Sequence, residues 1–176
     1  MNEQRTHEFI AYLQGLAEAN DRAALAALRR GLGLPPGAAP QMFPYVEPLL
    51  PPQRSQKLEN ACYLIASLFA LHPEPGGKGN MGDHFRQADP EGKSQDALER
   101  RFTILLAAHR EDLPDYLRQA VSFLKSKNVP VDWNQLFWDT LAWDDEGGRV
   151  QKWWARSFWG HAPKEEKLPG QAGEEN

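Results

Sequence analysis

The sequence predicts an all-α fold, and three features carry that prediction. Apolar residues recur at helical intervals along nearly the whole chain. No stretch sustains the period-2 alternation of a half-buried strand, and no Asn-Gly or Asp-Gly pair joins two apolar runs as a hairpin turn would. The clearest periodic segment, GGRVQKWWARSFW at 147–159, sorts into two opposed faces. Val150, Trp153, Trp154 and Phe158 form one wide apolar stripe, while Arg149, Lys152 and Arg156, at i, i+3 and i+7, form a basic one. The aromatic side predicts docking on the core, and the cationic side is left for solvent or a polyanion.

In chain order, 3–19 and 21–32 read as two helices broken near Asn20-Asp21, the second ending at Gly31 and Gly33 ahead of Pro35-Pro36. A proline-rich connection, 34–53, follows, with Phe43, Tyr45, Leu49 and Leu50 to pin it to the core. Helix 55–71 has Ser55 as its N-cap. Leu58, Ala61, Cys62, Ile65, Leu68 and Phe69 share one face, and Leu64, Ala66 and Leu71 fill most of the rest. A helix apolar nearly all round belongs at the centre of a domain, and His72-Pro73 ends it. Beyond the loop at 76–79 come a short helix, 80–88, and then 95–108 with Leu98, Phe102, Leu105 and Leu106 facing inward. Asp112 is the expected cap of 113–126, where Pro114 suits the first turn and Leu113, Leu117, Ala120, Val121 and Leu124 make the stripe. Asp132 caps 133–143, with Trp133, Leu136, Phe137, Thr140 and Leu141 on one side; the basic and aromatic helix follows Gly147-Gly148. The expectation is a single helical domain over 1–160, of about eight helices, with a polar, loosely packed tail over 161–176.

Composition bounds the function. A hydrophobic fraction of 41% with 25% charged residues is that of a soluble globular protein. The longest apolar runs, Ala61–Ala66 and Leu68–Leu71, fall far short of the ~20 residues that cross a bilayer, so no membrane role is expected. MNEQRTHEFI lacks the basic-then-apolar pattern of a signal peptide, and the single Cys62 cannot form an internal disulfide, which together fit a reducing cytoplasm. A net charge of −4 argues against a generic, strongly basic nucleic-acid binder. The distribution is uneven, however. Acids gather at Asp144-Asp145-Glu146 and in the tail, whereas the cations of the middle of the chain sit on helices.

Catalytic motifs are absent. His7, His72, His84, His109 and His161 are scattered rather than paired at metal-ligand spacing, and Cys62 lies in an apolar helix, so neither metal nor cofactor is expected. The GGKGNMG loop at 76–82 has the glycines of a phosphate-binding loop but not the G-x4-G-K-[ST] order, and no strand precedes it. No G-x-S-x-G elbow occurs. A hydrolase would have to draw on Asp139, Asp144 or His109.

The cations offer more. Arg100 and Arg101 stand beside the inward residues of their helix. Arg118 and Lys125, seven apart, share one face, opposite much of the Leu117/Val121 stripe. Arg29 and Arg30 close the second helix, and Arg54 precedes the central one. Each also has a plain structural use: Arg29 and Arg30 suit the negative end of their own helix, and Arg100 and Arg101 suit pairs with Asp96, Glu99 or acids on neighbouring helices. Among the tryptophans, core packing is expected for Trp133, Trp153 and Trp154, and partner contact for Trp138 and Trp159. The residues alone carry no further than a helical domain with a candidate polyanion surface.

Six strings extend this. RRGLG (29–33), YLIASLFALHP (63–73), NMG (80–82), ERRF with LLAAHREDLPDYLR (99–118), VPVDW (129–133) and RVQKWWARSF (149–158) occur in that order. As an ordered set, covering roughly 25–160, they closely resemble the CasB family, the small subunit of the type I-E CRISPR surveillance complex called Cascade. The resemblance implies an elongated all-α bundle without catalytic activity. It implies association as a pair of like subunits, in contact with the large subunit and with the backbone subunits that coat the guide RNA. It also implies a basic surface that supports the target and displaced DNA strands of an R-loop without reading bases. Carried onto this chain, that surface is expected at Arg54, Arg101, Arg110, Arg118 and Arg149, and secondarily at Arg29, Arg30, Arg100, Lys125, Lys152 and Arg156, converging in one groove; Arg110, followed by Glu111-Asp112, is the least available. The competing expectation is an architectural protein–protein adaptor without direct nucleic-acid contact.

Overall fold

The computed structural model describes residues 3–160. These form nine α-helices and no strand: α1 (Glu3–Glu18), α2 (Arg22–Arg29), α3 (Phe43–Val46), α4 (Gln56–Leu71), α5 (Met81–Gln87), α6 (Gln95–Leu106), α7 (Leu113–Ser126), α8 (Trp133–Leu141) and α9 (Arg149–Trp159). The expectation for the tail, 161–176, lies outside the described residues.

Helix α4 is the centre, as its all-round apolarity requires. Every residue from Ala61 to Ala70 is buried, and the one polar side chain among them without an aromatic or thiol body, Ser67, donates its hydroxyl to the Leu64 carbonyl. Helices α2, α3, α7 and α8 pack on α4, with α1 lying against α2 and α8. A second group, α5, α6 and α9, is built from α5 packed on both α6 and α9, and joins the first through α6 on α7. Buried residues of both groups belong to one continuous core. Burial pushes the Cys62 thiol up to about 12, so it behaves as an inert core group.

Several helix starts follow the local sequence. Ser55 Oγ accepts from the Leu58 amide (3.2 Å), Asp132 Oδ1 from that of Gln135 (3.0 Å) and Asp21 Oδ1 from that of Ala24 (2.9 Å). Asp112 does not cap α7. It already has helical backbone angles, and its side chain makes no cap bond. The backbone supplies the turn instead: the Leu113 amide bonds the His109 carbonyl, and Pro114 has no amide to satisfy. Helix α2 stops at Arg29, three residues short of the expected end, because residues 30–34 continue as tight hydrogen-bonded turns with Gly33 at φ 77°. The proline-rich connection is wound rather than extended, with 3₁₀ turns at Pro40–Met42 and Glu47–Leu49 around α3. This winding puts Met42, Val46 and Leu50 inward at helical spacing and leaves Phe43, expected as a pin, 41% exposed.

The NMG string proves to be the clasp between α5 and α9. Asn80 caps α5 in a reciprocal capping box with Asp83, and its Nδ2 donates to Ser157 Oγ on α9 (2.9 Å). Gly82 lies so close to α9 that an added Cβ would meet the Trp154 carbonyl oxygen at 2.0 Å. Helix α9 then buries Val150, Trp154 and Phe158. Trp153 is not part of that stripe. It lies about 100° round the helix from Trp154, on the edge of the basic face, and is 43% exposed.

Candidate nucleic-acid interface

The candidate cations divide among separate surfaces instead of meeting in one groove. The first surface is α9 with α8. Lys152 and Arg156 are exposed on α9, as is the side chain of Arg149 at its start. Arg149 pairs with Asp145 at 2.7 Å, while Lys152 and Arg156 pair with no carboxylate among the described residues. Arg149, Trp153 and Arg156 line a groove whose other wall carries Gln135 and Trp138 of α8. Under it, the buried Asp139 accepts from Trp154 Nε1 (2.7 Å) and Gln135 Nε2 (2.9 Å), and burial pushes its carboxyl up to about 6. Asp139 thereby anchors α9 on α8. An acid beside the apolar stripe of α8 was the available sign of this buried polar pairing.

The second surface surrounds the C-terminal end of α4. Lys125 Nζ donates to the Leu71 carbonyl (2.8 Å) and Arg29 Nη1 reaches the Ala70 carbonyl (3.5 Å). Both therefore complement the negative end of α4; Arg29 reaches a helix other than its own. Arg30 is exposed beside it as the C-cap of α2. Arg118 borders the 31–36 turn and pairs with Asp115 at 3.3 Å. The buried stripe of α7 consists of Leu113, Leu117, Ala120, Val121 and Leu124. Arg118 and Lys125 lie at one edge of it, within about 60° of Val121, and not opposite as expected.

The third surface is α6 with α7. Arg101 lies over the Phe123 ring (5.4 Å), with Lys127 near the same ring (5.9 Å), and Ile104 is exposed alongside. Phe123 is at the other edge of the α7 stripe, about 140° from Arg118, so Arg101 and Arg118 face apart. Arg100 is exposed on α6 without a carboxylate pair among the described residues.

Arg54 and Arg110 belong to none of these surfaces, contrary to their place among the leading candidates. Arg54 is held by Glu47 and Glu59, each at 2.8 Å, and its hydrogen bond to Glu59 chiefly raises its pKa. Arg110 donates to the Thr140 carbonyl and pairs with Asp144 at 3.6 Å. Both guanidiniums fasten the fold, because acceptors from other elements reach them first.

The potential hydrolase residues Asp139 and Asp144 are likewise in structural use. Asp139 is sequestered, and Asp144 faces Arg110 and Lys57. Among the described residues no group of three or more His, Cys, Asp or Glu side chains stands close enough to hold a metal ion, and no helix is long and apolar enough to cross a membrane.

The described residues thus form an all-helical domain whose notable surfaces are cationic and aromatic helix faces, the class of protein with which the comparisons with known proteins agree. The CRISPR-associated protein Cse2 family matches residues 24–159, and the chain belongs to that family. It is 37% identical over 147 residues to CRISPR-associated protein Cse2 of Thermus thermophilus, covering 82% of this chain and 83% of that one. The crystal structure of a Cse2-family protein from the same organism superposes with a TM-score of 0.75 at 33% identity, over 88% of this chain and 97% of the other. A chain of a CRISPR RNA-guided surveillance complex superposes with a TM-score of 0.76 at 26% identity, over 89% and 92%.

Proposed function

We propose that this chain is the small, non-catalytic subunit of a Cascade-type CRISPR surveillance complex in the cytoplasm, and that its exposed cations hold the phosphate backbones of an R-loop. Its partners in this reading are the backbone and large subunits, a second copy of itself, the guide RNA-containing assembly, and the target and displaced DNA strands. Residues 1–160 act as one domain and 161–176 as an appended tail. Membership of the Cse2 family and the likeness to a chain of a surveillance complex support the assembly. The observation that carries the nucleic-acid part is the face of α9, where Lys152 and Arg156 stand exposed and without carboxylate partners among the described residues of a chain that is acidic overall.

The physics suits a supporting role. Guide pairing supplies sequence recognition and nearly balances the duplex it replaces, so modest phosphate contacts tip the exchange. Such contacts carry salt dependence and no base preference. Arg118, Lys152 and Arg156 are the residues to test, with Arg30, Arg100, Arg101 and Arg149 next. Arg29 and Lys125 divide their donors between helix capping and solvent. In the assembled complex, Arg118→Ala with Lys152→Ala and Arg156→Ala weakens the R-loop and lowers the salt slope by about one per lost contact. Target-sequence preference stays unchanged. Arg54→Ala, the control, destabilises the subunit without changing that slope. The adaptor reading draws on the exposed Ile104 and Trp159. It is favoured if assembly requires those side chains while R-loop stability ignores the three cations.

A further inference from the structure

The α8–α9 groove holds a feature that phosphate binding alone does not use. Trp153 is 43% exposed, stacks on no other ring among the described residues, and stands on the helix surface between Arg149 at i−4 and Arg156 at i+3. Side chains at these spacings are neighbours about 5–6 Å apart at Cβ, so Trp153 has an arginine one turn away along the helix in each direction, with Lys152 next to it in sequence. The half-buried Trp138 of α8 borders the same groove. Trp153 contrasts with the next residue, Trp154, which is 1% exposed and donates to Asp139. The fold needs one of the two rings and leaves the other outside.

We infer that the Trp153 face, with Arg149, Lys152 and Arg156 around it, is a stacking site for an unpaired nucleobase of a single strand whose flanking phosphates those cations hold. This rests on the proposed phosphate-binding role and adds the chemistry of the base. Every base has a π face, so stacking on an aromatic side chain is tolerant of sequence, as a guide-directed subunit requires. Bases within a duplex are already stacked on both sides, so the site distinguishes an unpaired strand from a paired one. A protein partner is the other occupant that a Trp–Arg surface attracts. The charge favours the strand: of the acids at 144–146, Asp144 faces Arg110 and Lys57, Asp145 is paired with Arg149 and Glu146 is exposed, so the three cations outnumber the acid left over, and the oxygens of Asp139 accept from Trp154 and Gln135.

The test uses the full chain at low salt, with a twelve-nucleotide oligothymidylate and an abasic sugar–phosphate strand of the same length, binding being followed by fluorescence anisotropy. Trp153→Ala weakens oligothymidylate binding by about tenfold, leaves the abasic strand and the salt slope unchanged, and keeps the unfolding midpoint of the parent. Trp153→Phe retains most of the affinity. Arg156→Ala weakens both strands alike and lowers the salt slope. Salt-dependent binding of both strands that ignores Trp153 overturns the stacking site while leaving the phosphate-holding role intact, since that role is read in the assembled complex. Failure of either strand to bind overturns the site as well, as does loss of subunit assembly by Trp153→Ala with strand binding unchanged.

Discussion

Gly82→Ala sets two effects of opposite sign against each other at one position. Helix propensity favours the substitution by at most the ~1 kcal/mol that separates alanine from glycine in a helix interior, since Gly82 is the second residue of α5. Packing opposes it. The new methyl would lie 2.0 Å from the Trp154 carbonyl oxygen and 2.9 Å from its carbon, well inside the ~3.5 Å of ordinary contact. These are backbone atoms of α9, so no side-chain rotation relieves the clash, and the α5–α9 crossing must open by more than ~1 Å. Overpacking of this kind costs about 1–3 kcal/mol. The opening also strains the Asn80–Ser157 bond across the same crossing, worth about 1 kcal/mol. The net expectation is a loss of about 2 kcal/mol, or a fall in Tm of about 4–8 °C for a domain of this size. Urea unfolding reads it as a lowered midpoint with an unchanged m-value. A variant as stable as the parent, or more stable, would refute the close approach and leave propensity as the controlling term. Because α9 carries Arg149, Lys152, Trp153 and Arg156, the same variant is expected to weaken strand binding without removing a contact residue.

The adjacent tryptophans should separate cleanly in thermal unfolding: Trp154→Ala costs about 3–5 kcal/mol, while Trp153→Ala stays within about 0.5 kcal/mol of the parent. Asp139 sets a pH dependence. Its carboxyl is raised from 3.8 to about 6, chiefly by burial, so the folded state holds the proton more tightly than the unfolded chain. The resulting stability is fully present below about pH 4 and is lost as pH rises to about 6, by roughly 3 kcal/mol at most. Urea unfolding across that window should show the decline in the parent and not in Asp139→Asn; identical slopes would refute the assignment. His84 works in the opposite sense. Burial lowers its pKa, so its contribution is fully present above about pH 6.5 and is lost as pH falls below that, down through the lowered folded value, and a His84→Gln variant should lack that loss.

The helices and most of the core were legible in the sequence because their determinants are local. The all-round apolarity of α4, the Ser55 and Asp132 caps and the stripes of α7 and α8 depend on residues within about four positions of one another. The ordered strings were likewise enough to indicate the CasB family, and the Cse2 family model and the fold of Thermus thermophilus CasB both match the chain. Which cations remain available was decided by the tertiary structure. Arg54 is taken by acids of the 47–49 turn and α4, Arg110 by Thr140 thirty residues away, and Lys125 by the end of α4 fifty-four residues away. Trp153 was misplaced because two adjacent aromatic residues look equivalent in a periodic pattern, whereas the α5–α9 and α8–α9 contacts bury only Trp154. Periodicity follows from the geometry of a single helix and is therefore written locally. Charge pairing and ring exposure depend on distances through space, which exist only after the helices have packed.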